Sequence, residues 1–281
     1  MEPMLDSVTA VSFFRRLVGC PEEEMDLFTA ALSIALDEYP EMDLREYLTQ
    51  IDRLSERARR KVGRTRRCRD GIDRLNAFLF GEEGFRGNID DYYDPKNSFL
   101  NDVLDRRTGV PITLSIVYME IGRRLGFPIQ GVGLPGHFII GVAGLDDVYV
   151  DPFNCGDILN RKACMDRVRK LFGVDEEDSP ELIARASNRQ ILARVLNNLK
   201  AIYVRRECYE KALPVIDRLL IIDPEDHQEA RDRALVLVRL KRFVEARTQL
   251  ARFISNCPPG KEMEQEIKEA AHLMSWVQQV N

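Results

Sequence analysis

The 281-residue sequence predicts an α+β domain followed by an all-α repeat domain. A buried helix pattern is followed by three short β-like segments, and this order predicts the α+β part. An apolar pattern that recurs every 34 residues predicts the helical repeats. An acidic break at residues 175–180 separates the two, so the predicted domains are 1–178 and 185–281.

Composition indicates a protein with a substantial core and no strong electrostatic preference. The chain is 44% hydrophobic and 31% charged, with a net charge of −5. A mildly negative protein has no general attraction to nucleic acid or to anionic membranes, and no apolar run reaches the length that a bilayer requires. Residues 1–6 lack a basic and apolar leader, so we expect a cytoplasmic protein without a secretory signal.

Cysteine and histidine usage indicates neither a disulfide framework nor a metal centre. The six cysteines are scattered without CxxC spacing, and the chain has only three histidines. We therefore expect reduced thiols, no bound metal and no cofactor.

The N-terminal region is predicted to be helical to about residue 80. Acidic residues 22–24 are expected to open one helix after Pro21, and Asp43 is expected to cap the next. Eight basic side chains follow between Arg57 and Arg69. They are predicted to form a solvated helix end. The alternative, a patch for nucleic acid or an acidic partner, is disfavoured by the net acidity and the lack of interleaved aromatic residues.

The centre of the chain predicts one buried helix packed on an antiparallel sheet. Pro111 suits the first helical position, and Gly126 suits the left-handed cap after Leu125. Three β-like segments follow at 129–132, 137–142 and 148–151. The turn-rich stretch before the helix, residues 81–108, is predicted to be an ordered surface loop.

The C-terminal pattern predicts tetratricopeptide repeats. Seven positions recur with a shift of 34 residues, namely Leu196/Ala230, Leu199/Arg233, Tyr203/Leu237, Ala212/Ala246, Ile216/Leu250, Leu219/Phe253 and Pro224/Pro258. Every pair except the one with Arg233 keeps small or apolar residues, which is typical of this repeat. We expect two repeats over 193–260, a capping helix over 261–279, and a protein or peptide as the partner of the repeat groove.

His137 and Asp151 are the strongest candidates for a functional site. His137 opens a β-like segment after a glycine turn, and Asp151 ends the next segment. If the two segments pair as a hairpin, both residues lie near one edge. Asp151 then accepts a hydrogen bond that fixes the imidazole tautomer. The alternative is an aspartate that only caps a turn.

Several segments of the chain resemble the transglutaminase-like superfamily. More closely, they are similar to the bacterial SirB-one-type proteins, in which such a domain precedes tetratricopeptide repeats. The matching segments are 84–88, 92–98, 103–104, 107–115, 134–138 and 151–153. The resemblance implies a cysteine-protease-like α+β core in which Pro111 stands at the position of the nucleophilic cysteine. It also implies that His137 and Asp151 stand at the positions of the base and the residue that orients it.

Other side chains are weaker candidates for the same site. Thr113, Ser115 and Cys155 are candidate substitutes for the nucleophile, although activation requires hydrogen-bond reach to the base. A further set is expected either to line the cleft or simply to brace the loop, namely Asn97, Asn101, Arg106 and Arg107. Pro111 itself would lie in this cleft.

Two main hypotheses for function follow. The loss of the thiol favours a non-catalytic protein that binds a protein or peptide through its cleft and its repeat groove. The retained His137 and Asp151 favour an acyltransferase or peptidase-like hydrolase with a non-standard nucleophile.

Overall fold

An α+β unit precedes an all-helical unit in the computed structural model, which confirms the fold class that the sequence predicts. The units are Met1–Val195 and Leu196–Asn281. The structure describes residues 7–65, 67–145, 147–172, 183–256 and 261–280. The acidic break at 175–180 lies outside these residues, so the boundary placed there stays a prediction.

Four helices begin the first unit, namely α1 (Ser7–Val18), α2 (Leu27–Ser33), α3 (Leu44–Val62) and α4 (Cys68–Asn76). The predicted helix start at residues 22–24 is wrong, since these residues form only a short 3-10 turn. Helix α2 begins later because the Asp26 carboxylate accepts a hydrogen bond from the Thr29 amide (3.0 Å). Asp43 caps α3 as predicted, accepting from the amide of Arg45 at 2.9 Å.

The basic stretch at the end of α3 is partly neutralised by acidic neighbours. Arg57 forms an ion pair with Glu83, and Lys61 lies 2.6 Å from Glu82. Arg66 lies outside the described residues. These pairs agree with a solvated helix end rather than a nucleic-acid surface.

In the described part of the chain, no helix has both the length and the apolar character needed to cross a bilayer.

The segment predicted as a loop before the central helix contains a helix of its own. Strand β1 (Arg86–Gly87) pairs in parallel with β2 (Thr108–Gly109), and α5 (Leu100–Arg106) lies between them in the chain. The prediction of a loop is wrong here because Leu100, Val103 and Leu104 form a buried helical face.

The central helix α6 (Pro111–Leu125) confirms the predicted boundaries, with Pro111 in its first turn and Gly126 in the left-handed cap. It is buried over most of its length and packs on α3 and on the sheet. The antiparallel sheet has the order β6-β5-β4-β3-β7. Its strands are β3 (Ile129–Leu134), β4 (His137–Val142), β5 (Tyr149–Asp151), β6 (Asp157–Leu159) and β7 (Ala184–Arg185). Helix α7 (Arg161–Phe172) lies in the chain between β6 and β7.

The last helices confirm the helical repeat pattern. They are α8 (Asn188–Arg205), which crosses the unit boundary, α9 (Tyr209–Ile222), α10 (His227–Arg239), α11 (Phe243–Asn256) and α12 (Lys261–Val280). Most recurring apolar positions are buried, as Ala246 and Leu250 illustrate, whereas Ala230 is half-buried and Pro224 is exposed. Arg233, the exception in the pattern, lies 2.6 Å from Asp217 of α9. Pro258 lies outside the described residues.

Candidate functional site

The strand register brings His137 and Asp151 onto one face of the sheet. Strands β4 and β5 are antiparallel, with Ile140 opposite Val150. Extending this register by one residue places Asp151 opposite Ile139, which is two residues from His137 on the same face. Such diagonal neighbours are within reach of a long side chain. The hairpin that the sequence suggests therefore produces the contact.

The imidazole and the carboxylate form a direct hydrogen bond. His137 Nε2 lies 2.8 Å from Asp151 Oδ2, and the His137 side chain is 12% exposed. An ionised carboxylate only accepts hydrogen bonds, so Nε2 carries the proton and donates it. In the neutral imidazole, Nδ1 is then an acceptor. Among the described residues, no side chain occupies that second nitrogen.

Asp151 is fully buried and has several donors around it. Its Oδ1 accepts from the amides of Phe153 (3.1 Å) and Asn154 (3.2 Å), which caps the turn after β5. Its Oδ2 accepts from the Asn154 side chain at 2.9 Å, in addition to His137. Burial raises the pKa of Asp151, but the bonds from His137 and Asn154 and the charge of Arg167 hold it below its ordinary value. Asp151 therefore both orients the imidazole and caps a turn.

Arg167 is a participant that the sequence did not reveal. It lies on α7, and its guanidinium donates to Asp151 Oδ2 and, at 3.1 Å, to Asp157 Oδ2. Asp151 and Asp157 are opposite each other in the β5–β6 register. Like charges in that arrangement repel, so Arg167 compensates both carboxylates. As a result, His137 shares its carboxylate with a permanent cation.

Arg194 on α8 fixes the turn before His137. Its guanidinium donates to the carbonyl oxygens of Leu134 (2.7 Å) and His137 (2.8 Å), and it lies over the ring of Phe138. Sequence reasoning missed Arg194 because the residue falls in the stretch assigned to the repeats. It holds the start of β4, and therefore the imidazole, in place.

A row of aromatic rings extends from His137 to the surface. The ring of Phe153 meets the edge of His137 (6.3 Å between centroids), and Tyr92 meets Phe153 (5.9 Å). Tyr93 continues the row from Tyr92 at 5.4 Å. Together with Ile89, the two tyrosines are exposed, at 77% for Ile89, 37% for Tyr92 and 55% for Tyr93. We call the exposed rings of Tyr92 and Tyr93 the aromatic surface.

None of the candidate nucleophiles is positioned by the structure to use His137. The Thr113 hydroxyl donates to the carbonyl of Asn97 (2.7 Å) and accepts from the amide of Val110 (3.2 Å). Ser115 is fully buried, and its hydroxyl has no hydrogen-bond partner. Cys155 is an exposed free thiol in a left-handed conformation. Within the described residues, no hydroxyl or thiol lies at hydrogen-bond distance from the His137 ring.

The residues proposed to line the cleft are mostly engaged in bracing. Asn97 is buried and donates to the carbonyl oxygens of Asp91 (2.7 Å) and Tyr92 (3.2 Å), so it holds the loop that carries the aromatic surface. Arg106 lies 2.9 Å from Asp94.

Arg107 stacks on Phe85 at 4.8 Å and donates to the carbonyl of Leu104. Asn101 lines a different pocket, formed with residues 38–47. Asn97, Arg106 and Arg107 thus brace neighbouring chain segments, which is the alternative that the sequence left open, and their role in a cleft stays a prediction.

The described residues contain no group of three His, Cys, Asp or Glu side chains placed to hold a metal ion. At the site itself, both oxygens of Asp151 are already used by protein donors. The arrangement offers hydrogen-bonding groups and aromatic surface.

Comparison with known proteins covers both units. The transglutaminase-like superfamily matches residues 45–197, and the tetratricopeptide repeat matches residues 199–274. No solved structure gives a significant match. The match to the tetratricopeptide repeat confirms the repeats that the 34-residue period predicts.

Relatives extend over nearly the whole chain. A UPF0162 protein of Xylella fastidiosa (strain 9a5c) is 36% identical over 246 residues, which cover 86% of this chain and 88% of that protein. A UPF0162 protein of Vibrio cholerae is 30% identical over 253 residues, covering 87% of this chain and 92% of the relative. Human F-box only protein 21 is 30% identical over 169 residues, which are 56% of this chain and 26% of that protein. The chain thus belongs to the transglutaminase-like superfamily and to the family of the UPF0162 proteins, and its C-terminal part is a tetratricopeptide-repeat region.

Proposed function

We propose that the protein is a non-catalytic binding or regulatory module that holds a protein or peptide at the His137 site and in its repeat groove. One observation carries this proposal: among the residues that the structure describes, none bonds to the second imidazole nitrogen of His137 or offers an attacking group there, and exposed aromatic rings lie nearby. We further propose, from the sequence resemblance, that it is a SirB-one-type protein and, from its cysteine usage and N-terminal residues, that it is cytoplasmic.

The chemistry around His137 suits recognition of a peptide. With its proton on Nε2, the neutral ring offers Nδ1 to a donor such as a peptide N–H. The aromatic surface adds apolar area that an exposed chain segment can bury. In a working base, the carboxylate stabilises the imidazolium that forms during reaction. Here Arg167 already shares the negative charge of that carboxylate, which supports binding over catalysis.

The repeat unit supplies a second binding surface. Helices α8 and α10 border a groove of about 430 Å³. Val204 and Leu235 expose apolar side chains in it, at 41% and 38%, while Arg205 and Arg239 contribute positive charge. Such a groove fits an extended or helical peptide with apolar anchors and acidic residues. Tetratricopeptide units generally present such surfaces to protein partners.

The alternative function is acyl transfer or amide hydrolysis with a non-standard nucleophile. The retained 2.8 Å hydrogen bond between His137 and Asp151 favours it, because that geometry is what a catalytic base requires. In this alternative His137 acts as the base, Asp151 orients it, and a hydroxyl or an activated water attacks. Thr113, Ser115 and Cys155 are the candidate side chains.

Two assays on the full chain separate the functions. The first measures transfer of a fluorescent amine to casein and cleavage of fluorogenic peptides, in wild type and in His137→Ala. The second selects binders from a displayed random-peptide library and measures their Kd. We expect no activity that depends on His137, and we expect selected peptides to bind the repeat groove.

Glutamate substitutions at exposed apolar residues test whether the selected peptides bind in the repeat groove. Val204→Glu and Leu235→Glu place a charge in the groove and should raise the Kd about tenfold or more. Val244→Glu is the control, because Val244 is also exposed (58%) but does not line the groove. Equal peptide affinity in all three variants would refute the groove as the binding site. Amine transfer or peptide cleavage that disappears in His137→Ala would establish the enzymatic alternative.

A further inference from the structure

The turn after β5 contributes to the His137 site in two ways. It runs over residues 152–156, and we call it the site turn. The ring of Phe153 packs edge-to-face on the imidazole (6.3 Å between centroids). The side chain of Asn154 donates to Asp151 Oδ2 at 2.9 Å. The position of the imidazole and of its carboxylate therefore depends on where the site turn lies.

Hydrogen bonds hold the site turn at both of its ends. At its start, the Asp151 carboxylate accepts from the amides of Phe153 and Asn154. At its end, the amide of Gly156 donates to the Asp151 carbonyl (2.8 Å), and the Gly156 carbonyl accepts from the Asn76 side chain (2.8 Å). Asn76 is the last residue of α4, so this bond ties the turn to a distant part of the chain.

Tyr118 of α6 fixes the orientation of the Asn76 amide. Its hydroxyl donates to Asn76 Oδ1 at 2.8 Å, which leaves the amide nitrogen directed to Gly156. Tyr118 is only 1% exposed, and burial raises the pKa of its hydroxyl above the ordinary value. The hydroxyl therefore stays protonated and able to donate. A buried group that loses its partner costs stability, so removal of either side chain should loosen the site turn.

Gly156 also packs closely against this anchor. Its φ is +78°, and a Cβ added there would lie 2.6 Å from the Phe80 ring and 2.9 Å from the Asn76 side chain. Phe80 in turn stacks on Tyr118 (6.1 Å between centroids). The ring belongs to a π-helical turn, Ala77–Glu82, which follows α4. Such turns are rare and occur frequently at functional sites.

We propose that Asn76 and Tyr118 are positioning residues of the His137 site. They hold the site turn so that the ring of Phe153 and the donor from Asn154 keep the imidazole and its carboxylate in the binding geometry. Both residues act through the site turn. The inference rests on the proposed function for what the imidazole binds, whereas the positioning itself can be tested without a ligand.

Hydrogen exchange of the full chain, followed by NMR, tests the positioning. Asn76→Leu removes both hydrogen bonds at a similar side-chain size, and Tyr118→Phe removes only the hydroxyl. Tyr47→Phe is the matched control, because it removes a tyrosine hydroxyl that donates to a carboxylate of α5 instead (2.9 Å). The amide of Asn154 reports on the site turn, and the amide of the buried Ile140 in β4 reports on global unfolding.

We expect exchange at the Asn154 amide to become about fivefold faster, relative to the Ile140 amide, in Asn76→Leu. This is the factor that follows from loss of one ordinary hydrogen bond. Tyr118→Phe should have a smaller effect in the same direction, and Tyr47→Phe should have none.

The ring signals of the three histidines give a second readout, which a purely structural role would not move selectively. Those of His137 should shift in both test variants, while those of His227 and His272 should stay in place as internal references. A library peptide whose affinity falls in His137→Ala should also bind about fivefold more weakly to Asn76→Leu.

Unchanged exchange and unchanged His137 signals in Asn76→Leu would overturn the proposal. Equally faster exchange at Ile140 would overturn it too, because that result indicates global destabilisation alone. If Asn76→Leu does not fold, Tyr118→Phe decides by the same criteria. If no selected peptide depends on His137, the function proposed for the site fails, while the exchange data still decide the positioning.

Discussion

Replacing Asp151 with asparagine should destabilise the α+β unit. Asp151 is fully buried and accepts five hydrogen bonds, two at Oδ1 and three at Oδ2. An asparagine keeps one acceptor oxygen and places an NH₂ group where the other oxygen was, facing donors. Either orientation therefore loses at least two bonds, at about 1–3 kcal/mol for each buried group left unsatisfied. Arg167 is 28% exposed and keeps Asp157, so we expect a net loss of about 2–4 kcal/mol.

The pH dependence of that loss is a second signature. The folded-state pKa of Asp151 lies below its ordinary value. The ionised carboxylate therefore contributes stability above the unfolded pKa of about 3.9, and the contribution disappears as the pH falls through the folded value. The difference in unfolding free energy between wild type and Asp151→Asn should be largest at neutral pH. It should shrink as the pH falls below about 4.

Urea unfolding followed by far-UV circular dichroism measures both effects. Asp157→Asn is the matched control, because Asp157 is the other, largely exposed partner of Arg167 (59%). That variant should cost less than about 1 kcal/mol. If Asp151→Asn proves no more destabilising than Asp157→Asn, the buried network described around Asp151 is wrong. A difference between wild type and Asp151→Asn that stays constant down to acidic pH would refute the role given to its ionisation.

Three further predictions use other contacts. A Cβ added at Gly87 would lie 2.6 Å from the Phe153 ring, so Gly87→Ala should cost about 1–3 kcal/mol in urea unfolding. Gly81→Ala, with no atom within 4 Å, should be neutral. Burial raises the pKa of the Cys164 thiol to about 11. Alkylation near neutral pH should therefore modify the exposed Cys155 and leave Cys164 intact until the protein unfolds. Peptide mass spectrometry measures both outcomes. Phe253→Ala should cost about 3–5 kcal/mol, because Phe253 of α11 is buried in a cluster with Ala234 of α10 and Ala270 of α12. An unchanged urea midpoint by tryptophan fluorescence would contradict that packing.

Local chemistry was sufficient to predict the central helix and three of the strands, β3, β4 and β5. Pro111 and Gly126 each have a conformational preference that suits only one end of a helix, and the structure uses both. The same reasoning was wrong at residues 22–24, because acidic residues in a first turn do not outweigh a better cap two residues later. Asp26 provides that cap through its bond to the amide of Thr29.

The environment of His137 was only partly predictable. The hairpin that joins His137 to Asp151 depends on neighbouring strands, and short-range alternation reveals it. Arg167 and Arg194 come from helices later in the chain, and no spacing rule connects them to the strand residues that they contact. Tertiary packing alone brings them to the site, so a single sequence without the fold gives no signal for either.

Asp151 has structural reasons to be present whether or not the domain catalyses a reaction. Its carboxylate caps the turn after β5 and, with Asp157, engages Arg167. A domain without a nucleophile would therefore still require this aspartate, since its removal leaves donors buried and unpaired. His137 is different, because the only hydrogen-bond partner of its ring within the described residues is Asp151. Its presence beside the aromatic surface is thus the more informative observation, and it is the residue through which binding and catalysis are best distinguished.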